Sequence, residues 1–447
     1  MGGGLLQLSA LGPQDIYLTG NPQITYFKTV YKRHTNFSIE TIPQLFQNEV
    51  DFGLSKTITI SRSGDLIGPM YLKVILPELK QIQTGTSGTS SFVSWVDGIG
   101  NALIKSVEIK IGGNPIDKQY GEWLDIWSEL NLKNENKISY DKIVGNRYLT
   151  DDIDPQDTVD HHPLELYIPF RFWFNKHPGL ALPIIALQYH QIDIIVEFEK
   201  LKHLIRSDVK LENPQDVLGS KAKITSCILL VDYYYLSNDE RRRFTQVSHE
   251  YIIETLQLIE TNITKKSSNK NIDINSFNNP IKYLVWVIQN SKYLEENSKK
   301  STTDSFRKAC GNQKLRYSCL ANINGNYNTF KKAKLLIQGS ERIKEREADY
   351  FRILQNQQYF NKTPNKNIYT YNFGFKPYDQ QPSGTCNFSK VDIELQIEFD
   401  TSTTSENFKS TGGNYTGQTE DESIIKIFGI GYNILRIMGG EAGLAYA

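Results

Sequence analysis

IDIIVEFE, at Ile192 to Glu199, and VDIELQIEFD, at Val391 to Asp400, are two strand-like segments that lie about two hundred residues apart. In the second segment apolar and polar side chains alternate throughout, which is the period of a strand with one buried and one solvated face. The first segment alternates in the same way, except that Ile195 interrupts its polar face. The two segments therefore indicate that one half-buried strand occurs twice in this chain.

Similar segments recur in the same order in the two halves of the sequence. GPMYLKVIL at Gly68 to Leu76 resembles NPIKYLVWVI at Asn279 to Ile288, with tyrosine and leucine at matching positions. The other pairs are Ile39-Glu40-Thr41 with Ile253-Glu254-Thr255, Ile111-Gly112-Gly113 with Ile337-Gln338-Gly339, Trp123-Leu124 with Tyr350-Phe351, and Tyr233 to Leu236 with Tyr432 to Leu435. Two homologous domains in tandem explain this order most simply.

The composition and the loop pattern favour strands over helices. Aromatic residues, which are enriched in strands, make up 11% of the 447 residues. Long polar inserts of the kind that form surface loops separate the strand-like runs, at 81–91, 131–163, 289–329 and 401–422. Many strands, few helices and long connections are typical of jelly rolls. We therefore predict an all-β protein of two tandem sandwiches, for which the eight-stranded jelly roll is the common form, with a short N-terminal helical arm and few short helices.

The repeats divide the sequence into predicted segments. They are an N-terminal arm at 1–37, a first jelly roll at 38–236, a linker with a short helix at 237–250, a second jelly roll at 251–436 and a C-terminal tail at 437–447. Ser237 and Glu240 have the spacing of a capping box, which predicts that the linker begins with a helix. A helical linker favours two packed domains in a fixed orientation.

The arm contains a segment with a helical signature, NPQITYFKTVYKR. Asn21 suits the N-cap, and Pro22 suits the first helical position. An apolar face and a basic end follow at helical spacing, formed by Ile24, Phe27 and Tyr31 and by Lys28, Lys32 and Arg33. Such a helix either packs under the first sheet of its own chain or contacts another chain or an anionic membrane surface.

The charge of the chain limits its partners. The formal net charge is zero, which argues against a general affinity for nucleic acid. Basic residues dominate 261–350 and acidic residues dominate 149–165, so these stretches are either solvated loops or complementary faces of neighbouring subunits.

The 4 cysteines lack CxxC spacing, which indicates a reducing compartment. The sequence lacks a recognisable signal peptide and an apolar stretch long enough to span a membrane.

The sequence offers no convincing catalytic or metal site. His161 and His162 are adjacent in an acidic loop, and His177 and His190 stand apart, so the converging ligands of a metal-binding jelly roll are missing. Phosphate-binding glycine motifs are also missing. We expect no enzyme activity, no cofactor and no metal. A carbohydrate-binding, lectin-like jelly roll is the alternative function, and a cupin-type enzyme is a more distant one.

Four longer motifs resemble those of a known family. They are QDIYLTGNPQITYFKTVYKRHTNF at Gln14 to Phe37, PGLALPIIALQYH at Pro178 to His190, QPSGTCNFS at Gln381 to Ser389, and NILRIMGGEAGLAYA from Asn433 onward. Together they resemble the major capsid proteins of nucleocytoplasmic large DNA viruses, of the chlorovirus and iridovirus kind. The resemblance runs from the arm to the last residues and includes the internal repeat.

The resemblance implies a double jelly roll, that is, two tandem eight-stranded jelly-roll sandwiches. It also implies a structural virion protein that forms trimeric, pseudo-hexagonal capsomers and tiles an icosahedral shell. Three chains of two similar domains would present six similar edges to a hexagonal lattice. The implied partners are other copies of the chain, neighbouring capsomers, minor capsid proteins and an internal viral membrane, with no specific nucleic acid. Assembly is expected in the host cytoplasm. The inserts at 131–163, 289–329 and 401–422 are expected either at the outer crown of the capsomer or in contacts between subunits. The basal contact is expected at Ile24, Phe27, Lys28, Tyr31, Lys32 and Arg33.

Ile195 lies on the otherwise polar face of its strand. Because this apolar residue interrupts the polar face of its strand, we predict that a neighbouring loop or subunit covers that face, whereas the face of the twin strand at Val391 to Asp400 is wetter.

Overall fold

The computed structural model describes residues 2–80, 93–146, 163–207, 223–263, 269–290, 328–399 and 423–446, the strand residues 83–84 and 89–90, and residues 218, 315 and 317. The chain forms two compact units, Met1–Phe37 and Ser38–Ala447. Most of the inserts that the sequence assigns to the crown lie outside the described residues. The insert at 131–163 is described as far as residue 146 and contains an α-helix there.

The first jelly roll contains strands β1 to β13. Their bounds are β1 (Phe37–Leu45), β2 (Ser55–Thr59), β3 (Leu66–Leu76), β4 (Gln83–Thr84), β5 (Thr89–Ser90), β6 (Val93–Trp95), β7 (Ile104–Ile111), β8 (Asn114–Tyr120), β9 (Leu164–Pro169), β10 (Leu182–Pro183), β11 (Ile192–Phe198), β12 (Ile205–Ser207) and β13 (Ser226–Leu236). The second jelly roll contains strands β14 to β23. Their bounds are β14 (His249–Ile263), β15 (Asn269–Asp273), β16 (Pro280–Asn290), β17 (Lys332–Ile337), β18 (Ser340–Glu347), β19 (Tyr369–Asn372), β20 (Cys386–Asn387), β21 (Ile393–Glu398), β22 (Ser423–Met438) and β23 (Glu441–Leu444).

The helices are short and lie mostly between strands. They are α1 (Gly3–Ser9), α2 (Ile16–Thr19), α3 (Ile99–Leu103), α4 (Gly121–Asn131), α5 (Asn134–Ile143), α6 (Trp173–Lys176), α7 (Asn238–Gln246), a π-helical turn (Tyr350–Leu354) that continues directly into α8 (Gln355–Tyr359), and 3₁₀ turns at Pro13–Asp15, Pro178–Leu180, Ile184–Ala186 and Leu201–His203.

The two rolls share one sheet topology. The smaller sheet has the order β2-β11-β7-β8 in the first roll and β15-β21-β17-β18 in the second. The larger sheet has the order β1-β13-β3, with β9 and β10 on β3, and its counterpart is β14-β22-β16-β19, with β20 on β16 and β23 on β22. Each roll thus has a sheet of four strands and a larger sheet, of five strands in the first roll and six in the second, and the predicted double jelly roll is confirmed. The repeated sequence pairs fall on equivalent strands and helices of the two rolls.

The opening segments form the equivalent strands β11 and β21, each central in its smaller sheet. Ile194 is fully buried between Ile58 and Ile109 of the neighbouring strands, and Leu395 lies between Ile272 and Leu335 in the same manner. Burying an aliphatic side chain of this size stabilises the fold by about 1.5–3 kcal/mol. The alternation in sequence therefore becomes a buried row in each of two separate cores.

Both smaller sheets also contain the same tight hairpin. Gly112 and Gly113 connect β7 to β8 with φ of 58° and 83°, and Gln338 and Gly339 connect β17 to β18 with φ of 49° and 74°. Two successive positive φ angles define the turn whose twist matches that of the paired strands. Gln338 is an uncommon residue for this conformation, since a side chain in the left-handed region is strained.

The arm differs from its prediction. The helix expected to begin at Asn21 is absent: residues 21–36 form bends and a turn, and Asn21 itself is left-handed with φ of 49°. The helices of the arm are α1 and α2, which precede that segment. Thr25 and Thr29 lower the helix propensity, and the apolar side chains have nothing in this unit to pack against, so a helix this short is marginal.

The helix α7 follows Ser237 but is not capped as expected. Ser237 occupies the N-cap position without a side-chain cap hydrogen bond, so the capping box with Glu240 is not formed. Instead, Arg241 on the first turn pairs with the carboxylate of Asp65 at 2.7 Å, and Asp65 also accepts the N–H of Leu236. An ion pair to the first roll therefore replaces the predicted cap.

Candidate assembly interface

Helix α4 of the first roll is buried on two sides. Leu124 packs into the core of its own roll. Trp123, Ile126 and Leu130 point the other way and form a separate cluster with side chains of the second roll. We call this contact between α4 and the second roll the inter-roll joint.

The second roll contributes the outer face of its larger sheet to the inter-roll joint. This face, which we call the second outer face, consists of Tyr283, Val285, Val287, Phe428 and Ile430. The ring of Trp123 lies 5.5 Å from the ring of Phe428 between centroids. Because α4 covers this face while the core covers the other, every residue of β16 from 281 to 289 is buried. Near-continuous hydrophobicity in YLVWVI is the sequence signature of a strand covered on both faces.

Ion pairs surround the apolar centre of the joint. Glu122 contacts Lys426 at 3.0 Å, Asp125 contacts Lys366 at 2.6 Å and Glu129 lies 3.7 Å from Lys362. The three carboxylates are spaced at i, i+3 and i+7, so they share one side of α4. Burial alone would lower the pKa of Lys426, but the carboxylates of Glu122 and Glu260 raise it above its ordinary value. Lys426 therefore stays charged, and the ion pairs fix the helix in one register.

A second polar cluster lies beside β14. The ammonium groups of Lys176, from the first roll, and Lys282, from the second, both contact the carboxylate of Glu254. Burial would raise the pKa of Glu254, but the two lysines outweigh it and lower the pKa to about 2. Nearby, Asp117 accepts the backbone N–H of Leu256 at 2.9 Å across the joint, and burial raises its pKa to about 6.

The hairpin between β22 and β23 also attaches to the first roll. The N–H of Tyr189 donates to the carbonyl of Gly440, and the N–H of Ala442 donates to Nδ1 of His190, each at 3.1 Å. Gly440 has φ of 89°, and a Cβ there would lie 2.7 Å from the ring of Tyr189. Two motifs of the sequence analysis, PIIALQYH and MGGEAGLAYA, therefore meet at this contact, which we call the hairpin clasp.

The residues expected at the basal contact lie together in the arm as an exposed segment. Ile24 is 69% exposed, Phe27 98% and Tyr31 86%, and Lys28, Lys32 and Arg33 are exposed as well. Ile195 is half-buried on β11, opposite Thr57 and Glu108. Ile195 is not part of the inter-roll joint, which the sequence reasoning did not find.

The isolated histidines have structural contacts. Nδ1 of His177 accepts the N–H of Gly179, and His190 belongs to the hairpin clasp, while His161 and His162 lie outside the described residues. Among the described side chains there is no group of three or more His, Cys, Asp or Glu placed to hold a metal ion. Within the same part of the chain, every helix is too short or too polar to span a bilayer.

Two family models match the chain, one for each roll. The model of the major capsid protein N-terminus matches residues 25–237, and the model of the large eukaryotic DNA virus major capsid protein matches residues 240–443. The major capsid protein of Pyramimonas orientalis virus is 37% identical over 472 residues, which cover 100% of both chains. The chain belongs to the major capsid proteins of large eukaryotic DNA viruses. The major capsid protein of Paramecium bursaria Chlorella virus 1 is 35% identical over 464 residues, again over 100% of both chains.

Solved structures of capsid proteins have the same double jelly roll. A quasi-atomic model of the PBCV-1 virus capsid matches with a TM-score of 0.74 and 29% identity, over 95% of this chain and 100% of that one. The Faustovirus major capsid protein matches with a TM-score of 0.70 at 12% identity, over 97% of this chain and 96% of that one, which shows the fold alone. This capsid protein is therefore a structural component of the virion that assembles with itself into capsomers and a shell lattice.

Proposed function

We propose that three copies of the chain form a pseudo-hexagonal capsomer and that these capsomers tile an icosahedral shell. The observation that carries the proposal is the inter-roll joint, because it fixes two rolls of one topology in a single orientation. A hexagonal tile built from three chains needs two similar units per chain held rigidly. We propose further that the chain is a building block without catalytic activity.

The predicted segments support a division of labour within the chain. We propose the arm at 1–37, the first roll at 38–236, the linker at 237–250, the second roll at 251–436 and the tail at 437–447 as its functional parts. The sheets of the two rolls supply the rigid body of the tile. The arm supplies a contact to other components, and the tail contributes to the hairpin clasp through Gly440 and Ala442.

We propose that the arm meets minor capsid proteins and the surface of an internal viral membrane during assembly in the host cytoplasm. The support is its composition and exposure: Ile24, Phe27 and Tyr31 are exposed apolar side chains beside the cations Lys28, Lys32 and Arg33. Exposed apolar residues next to cations suit an anionic membrane surface or an acidic protein partner. The half-exposed Ile195 is proposed to be covered by a neighbouring loop or subunit in the capsomer.

Size-exclusion chromatography with light scattering tests the trimer. Chains of 51.2 kDa should elute as particles of about 154 kDa at micromolar concentration. A stable monomer under these conditions contradicts the proposal.

Deletion of residues 1–36 tests the role of the arm and leaves β1 intact. We expect trimers of unchanged stoichiometry that fail to bind anionic lipid vesicles or to assemble into shells. The matched control replaces Lys28, Lys32 and Arg33 with serine in the full chain, which should abolish vesicle binding but leave the apolar contacts. Loss of the trimer on deletion would instead place the arm within the capsomer core.

A further inference from the structure

The ring of His190 lies where three elements of the two rolls meet. His190 belongs to the segment that leads into β11, and it is half-buried. On one side the ring packs against the turn between β7 and β8, because a Cβ on Gly112 would lie 2.6 Å from it. On another side it contacts the hairpin of β22 and β23, which belongs to the second roll. His190 therefore stands at a contact between the two rolls where protons from the solvent can reach it.

The hydrogen bond that His190 makes in the hairpin clasp requires a neutral ring. Its donor is the backbone N–H of Ala442 on β23, which lies 3.1 Å from Nδ1. A backbone N–H can only donate, so Nδ1 must present its lone pair. An imidazole that has taken up a second proton carries N–H groups on both ring nitrogens and accepts no hydrogen bond. The closed clasp therefore binds the neutral ring and excludes the protonated one.

The charged residues around the ring do not replace this bond. Nη2 of Arg62, on the loop before β3, donates to the carbonyl of His190 at 3.0 Å. The charged residues closest in sequence to the other contacts are Glu441 on β23, Asp193 on β11 and Lys110 on β7. In the part of the chain that the structure describes, none of them forms a hydrogen bond or an ion pair with the ring. A protonated ring would therefore gain no acceptor in the clasp.

The amide of Ala442 would lose its acceptor at the same time. Ala442 is 5% exposed, so water does not readily replace the ring nitrogen. A buried N–H without an acceptor keeps the full cost of its desolvation, and here it would also face a second N–H donor. The other bond of the clasp, from the N–H of Tyr189 to the carbonyl of Gly440, contains no group that titrates. Protonation thus removes one of the two bonds.

We infer that His190 is an acid-sensitive switch, in which uptake of a proton at Nδ1 opens the hairpin clasp between the two rolls. Histidine side chains generally take up this proton between about pH 8 and pH 5. Because the open clasp admits the proton and the closed clasp excludes it, the clasp loosens as the pH falls. The inference does not rest on the proposed trimer, since both sides of the clasp belong to one chain. A chain that passes from a neutral to an acidic compartment would lose this contact while its sheets stay intact.

Two buried carboxylates of the joint respond to acid differently. Burial would raise the pKa of Glu254, but two lysines lower it to about 2, so this group stays ionised where histidines titrate. Burial raises the pKa of Asp117 from 3.8 to about 6, so a fall in pH through this value favours the folded joint, which is the opposite direction. Variants that differ only at His190 carry both carboxylates unchanged, and a comparison among them therefore cancels these contributions.

Hydrogen–deuterium exchange of the full chain tests the switch at the clasp itself. The readout is the exchange of peptides that cover 439–445 at about pH 7.5 and about pH 5, corrected for the intrinsic effect of pH on amide exchange. In the wild type we expect the corrected exchange to rise about three- to tenfold at the lower pH, which corresponds to the loss of one hydrogen bond. A wild type with the same corrected exchange at both pH values overturns the inference.

Two substitutions separate the closed clasp from the open one. Asparagine has its amide oxygen two bonds from Cβ, as Nδ1 is, so His190→Asn can accept the N–H of Ala442 but cannot titrate. Glutamine carries its amide one bond further out, so His190→Gln lacks the acceptor and should exchange at neutral pH as fast as the wild type in acid. In both variants the corrected exchange should no longer depend on pH. A rise in either variant equal to that of the wild type overturns the inference.

His177 provides the matched control. Its Nδ1 accepts the N–H of Gly179 at 2.9 Å, within its own turn of the first roll. His177→Asn removes a titrating ring with the same kind of bond, and it should leave the acid response of 439–445 unchanged. Loss of the response in His177→Asn would place its origin outside the clasp and overturn the inference. Circular dichroism checks that each variant keeps its strands, and the wild-type measurement stands without them.

Discussion

Strands β3 and β16 occupy the same position in the two rolls but lie in different surroundings. In β3 the outward-facing side chains of Lys73 and Ile75 are half-buried, whereas those of Val285 and Val287, at the equivalent positions of β16, are buried beneath α4. At these positions β16, which is covered on both faces, has only apolar residues. β3, whose outer face is half-exposed, has a lysine there. The comparison shows that the same fold position follows different sequence rules once a neighbour covers it.

We expect the largest change in the free energy of unfolding from a substitution at Val285. The substitution Val285→Lys gives β16 the residue of its twin and buries an ammonium group without a partner beneath α4. Such a group costs several kcal/mol, so we expect the free energy of unfolding to fall by on the order of 5 kcal/mol in urea denaturation. The reverse substitution, Lys73→Val, should change monomer stability much less. Equal effects of the two would show that the second outer face is not closed.

Removal of one ring from the aromatic pair Trp123 and Phe428 should give the next largest loss of stability. Trp123→Ala removes a ring that is 3% exposed and contacts Phe428, and we expect a loss of about 4 kcal/mol. Tyr350→Ala, at the equivalent position of the second roll, should cost about 1–2 kcal/mol because its ring is only half-buried. Thermal unfolding of both variants gives the comparison, and similar losses would count against the difference in burial.

The cluster at Glu254 should make the joint sensitive to acid. Because the folded state lowers the pKa of Glu254 from 4.5 to about 2, its contribution of about 3 kcal/mol is present above pH 4.5 and is lost as the pH falls through 2. Glu254→Gln should therefore be less stable than the wild type at pH 7, and the difference should shrink between pH 4.5 and 2. The control Glu165→Gln, on β9, removes a solvent-exposed ion pair with Lys73 and should change the pH dependence much less. A pH-independent difference for Glu254→Gln would point to lost packing instead.

Substitutions in the two hairpin turns should change the stability least. Gly112→Ala places a Cβ at positive φ and 2.6 Å from the ring of His190, so we expect a loss of about 1–2 kcal/mol. Gln338→Gly, at the equivalent turn, removes a strained side chain and should raise stability by about 0.5 kcal/mol. Denaturation midpoints of the two variants should therefore shift in opposite directions, and a shift in the same direction would contradict the role of φ.

The sequence predicted the repeated strands well because alternation is a local property. The pairs at β3 and β16, β11 and β21, and the two hairpins all lie at equivalent positions in the structure. The arm helix was wrong because good spacing at Ile24, Phe27 and Tyr31 does not make a helix without a surface to bury it. The inter-roll joint was missed because the lysine partners of α4 lie more than two hundred residues away in sequence, and periodicity carries no information about such contacts.

The hairpin clasp has a consequence for synthesis. Tyr189 and His190 leave the ribosome about 250 residues before Gly440 and Ala442, so the first roll must wait with this edge open while the second roll is made. A chain that stops before residue 440 lacks the clasp and holds its two rolls less firmly. Translation that ends early would therefore yield chains in which the contacts of the hairpin clasp between the two rolls are missing.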